Sequence, residues 1–240
     1  MGKMRLDKLL ANMGVGTRSQ VKTMIRTGRV SVNGEIAGKP EMKVEDGRDR
    51  ILADGREVCY VKYDTYMFHK PAGCVTATND SHDRTVMDYL DIPGKEHFFP
   101  VGRLDKDTEG LLLITNDGGM AHDLLSPGKH VDKTYYAKVE GRLLPEHGEA
   151  FGAGLDIGDP KPALPAQLRI LSSGEISKAE VTVHEGRFHQ VKRMFAAVGC
   201  RVIYLKRLSM GGIVLDGTLE KGAYRRLTEE ERKRLDATKK

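Results

Sequence analysis

The pattern that most limits how this chain can fold runs from residue 66 to residue 215. Short apolar stretches follow one another there, separated by Gly, Pro and Asp turns and rarely by a segment long enough to cross a sheet as a helix. Parallel neighbours need such a crossover, whereas antiparallel neighbours need only a turn. YMFHKP, FFPVGRL, GLLLIT, KTYYAKVEG, PAQLRILS, KAEVTVHEG and RVIYLKRLSMGGIVL therefore predict strands of a largely antiparallel mixed sheet, with MAHDLLS and FHQVKRMFAAVG as helices. The expected fold class is α+β.

The first quarter of the chain has a different texture. Leu6, Leu9, Leu10 and Met13 recur at the spacing of one helix face, and Gly14 and Gly16 can end that helix. Thr17 and Gln20 form the pattern of a capping box opening a second helix, with Val21, Met24 and Ile25 inward. RVSVNGEIA then predicts a hairpin turning at Asn33-Gly34, because both residues tolerate positive φ. Gly47, Asp54-Gly55, Ile51, Leu52 and Val58 predict another, closing a helix–helix–β module at residue 62. The expected division is 1–62, 63–232 and a frayed tail over 233–240, after a short helix capped by Thr228 and Glu231.

Charge separates the same two parts. Residues 1–62 carry 13 Lys and Arg against 8 Asp and Glu, while residues 63–240 carry 26 of each, so the whole net charge of +5 sits in the small module. Arg5, Lys8, Arg18, Lys22, Arg26 and Arg29 lie between the apolar positions and so on an exposed face, which points to a polyanionic partner. No apolar run approaches the ~20 residues of a membrane helix, and MGKMRLDKLL lacks a signal-peptide core, so the expectation is a soluble, cytoplasmic protein. Cys59, Cys74 and Cys200 are scattered without C-x-x-C spacing, which argues against a disulfide framework or a cysteine metal site. No unexplained apolar stripe is left over, and a monomer is expected.

Four stretches carry candidate chemistry. The densest polar cluster is VGRLDKDTEG, residues 101–110, between two apolar segments. Lys133-Thr134-Tyr135 opens one predicted strand, and Tyr135 and Tyr136 must face opposite sides of it. EGRFHQVKRMF runs from a turn into a basic amphipathic helix with Phe188, Val191, Met194 and Phe195 inward. Lys70-Pro71-Ala72-Gly73 is a strand-end turn.

Taken together these segments resemble a known family. MRLDKLLANMG and the stretch from Ser19 to Gly34 resemble the small RNA-binding domain first named from a small-subunit ribosomal protein. GRLDKDTEG followed by LLLITNDG resembles the signature of the pseudouridine synthases, in the branch typified by RsuA, which act on ribosomal RNA. The resemblance implies that Asp105 is the catalytic carboxylate and that Arg103 enters the space left by a flipped base. It further implies that Tyr135 rather than Tyr136 lies against the base, that Lys192 pairs with Asp105, and that Lys70 borders the cleft. Arg187, His189 and Gln190 are implied as substrate-binding neighbours, His189 in a positioning role only. EGRFHQVKRM is more similar to the branch acting on 16S rRNA than to those acting on 23S rRNA.

The chemistry so implied is the isomerisation of a uridine. The bond from sugar to nitrogen breaks, the uracil turns in place, and a carbon–carbon bond forms to the same sugar. This needs no cofactor and no metal. It needs a carboxylate that attacks the anomeric carbon or removes a sugar proton, an ammonium to keep that carboxylate charged in a closed pocket, and an aromatic platform for the flipped base. The expected partner is ribosomal RNA in a small-subunit assembly intermediate. Action on 23S rRNA and a non-catalytic RNA-binding role in ribosome assembly are the alternatives. A hydrolase using Asp105 with Asp107 is more remote, because the two carboxylates are expected to diverge.

Overall fold

A computed structural model of the chain describes residues 3–13, 15–45, 48–58, 63–92 and 94–237. The expected roles of Gly14, Gly47, Cys59 and the module boundary at residue 62 fall outside them. The chain divides into two units, Met1–Tyr63 and Asp64–Lys240.

In the first unit, β1 (Lys3–Arg5) leads into α1 (Leu6–Asn12) and α2 (Arg18–Arg26). The capping box forms as the sequence dictates: the Gln20 amide donates to Thr17 Oγ1 at 3.3 Å, and the Thr17 amide to Gln20 Oε1 at 2.8 Å. β2 (Val30–Val32), β3 (Glu35–Ile36), β4 (Lys43–Glu45), β5 (Ile51–Ala53) and β6 (Arg56–Glu57) follow. The hairpin residues Asn33 and Gly34 take φ of 54° and 89°, and Asp54 and Gly55 take 49° and 76°. Leu6, Leu9, Leu10, Val21, Ile25, Val30, Val32 and Ile51 are buried together, with Met13 half-buried at the edge. A strand pair absent from the sequence reading, β1 with β4, places Arg5 opposite Lys43. Three-residue strands are too short to show alternation.

The second unit is built on a nine-stranded sheet. Its strands are β7 (Thr65–Lys70), β8 (Phe99–Pro100), β9 (Glu109–Thr115), β10 (Lys133–Glu140), β11 (Gln167–Ser172), β12 (Ile176–Val183), β13 (Arg201–Met210), β14 (Ile213–Val214) and β15 (Tyr224–Arg226), and the order along the sheet is β11-β12-β10-β13-β9-β7-β15. α3 (Gly118–Leu125), α4 (Pro145–Ala153), α5 (Gln190–Ala197) and α6 (Glu229–Ala237) pack around it. Pairing is antiparallel as expected, except that β13 runs parallel to β9. That contact depends on Gly110, whose φ is 109° and where an added Cβ would lie 2.2 Å from the Arg207 carbonyl oxygen. The glycine closing the 101–110 motif is thus the point where two strand backbones meet.

Three expectations are corrected here. FFPVGRL forms a strand only at Phe99–Pro100, since Gly102 turns the backbone to φ 75°. α4 was not foreseen because it buries a single side chain, Phe151, and so carries no helical periodicity. The segment expected to fray from residue 233 is helical through Ala237, anchored by buried Leu235. Thr228 and Glu231 do cap α6, and Arg225 clamps Glu231 with two bonds of 2.8 and 2.9 Å.

Candidate active site

The loop between β8 and β9 is held from beneath by one buried cation. Lys70, at the end of β7 and fully buried, points its ammonium at four main-chain carbonyls: Pro71 at 3.1 Å, Asp105 at 3.0 Å, Lys106 at 3.4 Å and Thr108 at 2.9 Å. Burial pushes this ammonium below its ordinary pKa. Two further contacts fix the loop. Thr76 Oγ1 accepts from the Leu104 amide at 3.1 Å and donates to its carbonyl at 2.8 Å, and the Gly73 amide donates to Lys106 O at 2.7 Å. Lys70 was expected to border the cleft and touch substrate. Its ammonium is instead consumed by the backbone, so that expectation is corrected to a scaffolding part.

Above the loop, α5 brings a second cation to the carboxylates. Lys192 Nζ lies 3.0 Å from Asp105 Oδ2 and 2.6 Å from Asp107 Oδ1. Burial alone would lower the ammonium's pKa, but hydrogen bonds to Asp107 and Asp105 more than offset it, and Lys192 titrates above its ordinary value. The two carboxylates, expected to diverge, converge on this ammonium because residues 105–108 form a turn, closed by the Thr108 amide on Asp105 O at 3.0 Å. They differ in setting: the Asp105 side chain is 26% exposed and that of Asp107 73%. His189, left-handed at φ 49° before α5, places Nε2 3.7 Å from Asp105 Oδ1. Phe188 was expected to point inward; it is 73% exposed and stacks on His189 with ring centroids 3.8 Å apart. The helix begins only at Gln190, so helical periodicity does not govern Phe188.

These groups open onto a cavity of about 840 Å³. Arg103, on the exposed part of the loop, lines its mouth. Tyr135 is 8% exposed and lines the interior, while Tyr136 turns to the other face of β10 against Tyr204, with ring centroids 6.1 Å apart. Lys133, from the Lys133-Thr134-Tyr135 stretch, and Arg207, which was not singled out from the sequence, are two buried cations that also line the cavity. Nothing in a lysine or arginine within an alternating strand marks it as inward-facing until the sheet is assembled. Among the described residues, no three His, Cys, Asp or Glu side chains are grouped so as to hold a metal ion.

Other predicted site residues take structural duties. Arg187 spends its guanidinium on Glu185 (2.9 Å), the Lys161 carbonyl (2.6 Å) and the Pro162 carbonyl (2.9 Å). Gln190 is 4% exposed, accepts from the Arg187 amide at 2.9 Å and donates to Glu185 at 3.0 Å. Both border the cavity, and their polar ends hold the 159–162 and 185–190 loops. Glu109 faces away as well, bonded to Tyr204 Oη at 2.7 Å and Lys221 Nζ at 2.8 Å.

In the first unit, Lys8, Arg18 and Arg26 are exposed and Lys22 half-buried, and none has a carboxylate within salt-bridge distance among the described residues. Arg5 and Arg29 are engaged. Arg5 grips buried Asp7 with bonds of 3.0 and 2.8 Å, and Arg29 grips Asp54 with bonds of 2.7 and 2.6 Å. Bidentate forks of this kind leave less donor capacity for a phosphate.

Comparison with known proteins gives matches to both units. Residues 64–197 match the family described as RNA pseudouridylate synthase, and residues 4–51 match the S4 domain. The chain is 44% identical over 231 residues to the uncharacterized RNA pseudouridine synthase YtzG of Bacillus subtilis, covering 95% of this chain and 96% of that one. It is 40% identical over 230 residues to ribosomal small subunit pseudouridine synthase A of Escherichia coli, covering 95% and 98%. It is also similar to a crystal structure of a pseudouridylate synthase, with 37% identity, a TM-score of 0.69, and coverage of 97% and 99%.

Proposed function

The chain belongs to the RNA pseudouridylate synthase family, as an isomerase that carries an S4 RNA-binding domain, and we propose that it converts one specific uridine of 16S ribosomal RNA to pseudouridine with Asp105 as the catalytic carboxylate. The observation that carries this reading is the Lys192–Asp105 contact of 3.0 Å at the edge of a cavity that Tyr135 lines from within. Relatives that cover nearly the whole chain and are named for the small subunit favour 16S over 23S rRNA.

The steps follow from the placement of the groups. The RNA docks through backbone contacts to the S4 domain, and the target base leaves its stack at a cost of a few kcal/mol, which those contacts offset. Arg103, exposed at the cavity mouth, fills the vacated space. The uracil lies on the Tyr135 ring, which brings the ribose to Asp105. Lys192 pairs with that carboxylate at 3.0 Å, and the carboxylate acts on the sugar either as nucleophile at C1′ or as base at C2′. The loop bonds through Lys70 and Thr76 hold Asp105 in place without taking its carboxylate. We assign the substrate to a small-subunit assembly intermediate, where the uridine is still accessible, and the working form to a cytoplasmic monomer.

The test is a map of pseudouridines in rRNA from cells with the protein, without it, and with Asp105→Asn. One 16S position modified in the first and unmodified in the other two is the expected result. Full modification with Asp105→Asn overturns the catalytic assignment, and a lost position in 23S rRNA moves the substrate to the large subunit.

A further inference from the structure

Arg207 and Lys133 are an unneutralised cationic pair in the cavity interior. The Arg207 side chain is almost fully buried, and among the described residues its one hydrogen bond runs from Nε to the Leu111 carbonyl at 2.7 Å. Its Nη2 is buried without a hydrogen-bond partner among the described residues. Lys133, also buried, donates to the Val131 carbonyl at 2.9 Å. No carboxylate lies within salt-bridge distance of either among the described residues, although Lys192, which also lines the cavity, has two. A buried guanidinium with donors unsatisfied is costly unless an anion completes it. Mutual repulsion adds to burial in depressing Lys133, whose pKa falls to about 8.

Register places both cations beside the tyrosine ring. Arg207 is the cross-strand partner of Tyr135, and Lys133 precedes Tyr135 by two residues on the same face of β10. Val181 and Val183, the partners of Tyr135 and Lys133 on β12, are buried on that face and keep the floor apolar. Exposure falls from the Asp105 side chain, at 26%, to Arg207, at 2%, so a nucleotide with its ribose at Asp105 directs its base toward the cations. A phosphate, tied to the RNA chain at the mouth, follows the base and does not reach them.

We infer that Arg207 and Lys133 bind the carbonyl oxygens of the target uracil and stabilise the negative charge it acquires when its bond to the sugar breaks. The inference rests on the proposed uridine isomerisation. As C1′–N1 breaks, its electron pair stays on the uracil and spreads over N1, O2 and O4. Asp105 takes either the C1′ carbon in a covalent bond or the C2′ proton. The ring turns and C5 bonds to C1′, releasing the carboxylate or regaining the C2′ proton. C5 then gives up its own proton, and N1 gains one. Donors fixed in a dry cavity stabilise such an anion more than the neutral base, and that difference lowers the barrier.

The test compares leaving groups. Full-length enzyme and the variants Arg207→Met, Arg207→Lys and Lys133→Met react in single turnover with RNA carrying uridine or 5-fluorouridine at the mapped position, and cleavage of C1′–N1 is timed. Fluorine acidifies the uracil, which then carries the charge with less help. Arg207→Met is expected to slow the uridine reaction about 100-fold, the scale of losing one donor to a developing anion, and the 5-fluorouridine reaction by about tenfold or less. Arg207→Lys recovers part of the loss, and RNA affinity and its salt dependence stay unchanged. An equal loss on both substrates, an undiminished rate, or a loss confined to RNA affinity overturns the inference while leaving the isomerase reading intact. Wild-type enzyme that leaves uridine unmodified overturns both. If Arg207→Met does not fold, the same comparison with Lys133→Met decides.

Discussion

Lys70 and Asp105 meet through the main chain: the buried ammonium of Lys70 donates a 3.0 Å bond to the carbonyl oxygen of Asp105, not to its carboxylate. One lysine at the end of β7 thus sets the backbone of the loop that carries Asp105, and another, Lys192 on α5, pairs with its side chain at 3.0 Å. The two cations act on the same residue from different elements and are not interchangeable.

Lys70→Met should therefore damage the fold first. Carbonyls of Asp105, Lys106 and Thr108 lose a charged donor in a site closed to water, and the expected destabilisation is about 2–3 kcal/mol, read as a lower midpoint in denaturant with an unchanged slope. Lys70→Arg should not restore it, because the larger planar group does not fit a site built for an ammonium. Wild-type stability in Lys70→Met argues that the carbonyls find other partners.

Lys192→Met should leave folding nearly intact and slow isomerisation strongly, by about 100-fold if the ammonium is worth one charge-assisted contact to the reacting carboxylate. Asp107→Asn, whose side chain is mostly in water, should cost far less. Equal losses in the two variants would mean that Lys192 serves Asp107 rather than Asp105.

Tyr135→Phe keeps the ring that faces the cavity, whereas Tyr135→Ala removes it. Binding of the substrate RNA should survive the first change better than the second, by roughly 1–3 kcal/mol for one stacked base. Damage from Tyr136→Ala with a harmless Tyr135→Ala would place the base on the opposite face of β10.

Replacing Lys8, Arg18, Lys22 and Arg26 together by Gln should weaken RNA binding and flatten its salt dependence, with up to about 0.9 lost from the log–log slope per phosphate contact on duplex. Arg5→Gln and Arg29→Gln should alter the slope less, since those guanidinium groups hold Asp7 and Asp54. An unchanged slope in the fourfold variant would move the RNA-binding face elsewhere.

Acid should release α6. The hydrogen bonds from Arg225 hold the Glu231 carboxyl down to about 2, against 4.5 unperturbed. A carboxyl depressed in the folded state stabilises it above the unfolded pKa, and that contribution is lost as pH falls from about 4.5 toward 2. Glu231→Gln should be less stable than wild type at pH 7, with the gap closing through that window in pH-dependent denaturation. A gap independent of pH would mean that the side chain acts by shape alone.

What the sequence determined by itself is the local part of this molecule. Capping boxes at Thr17 and Thr228, positive-φ hairpins at Asn33-Gly34 and Asp54-Gly55, and the inward face of α2 are contests between a residue and its near neighbours, and sequence decides those. Asp105, Tyr135 and Lys192 were also legible, but only through resemblance, because no local rule brings residues 87 positions apart in the chain to 3.0 Å. Tertiary structure decided the rest. It turned Lys70 from a cleft residue into the support of the loop, spent Arg187 and Gln190 on neighbouring backbone, and left Phe188 outside the helix that would have buried it. It also brought Arg207 into the cavity through one parallel contact at Gly110. Each of these outcomes depends on which distant carbonyl, carboxylate or strand a side chain meets, and periodicity along one strand carries no information about its neighbours across the sheet.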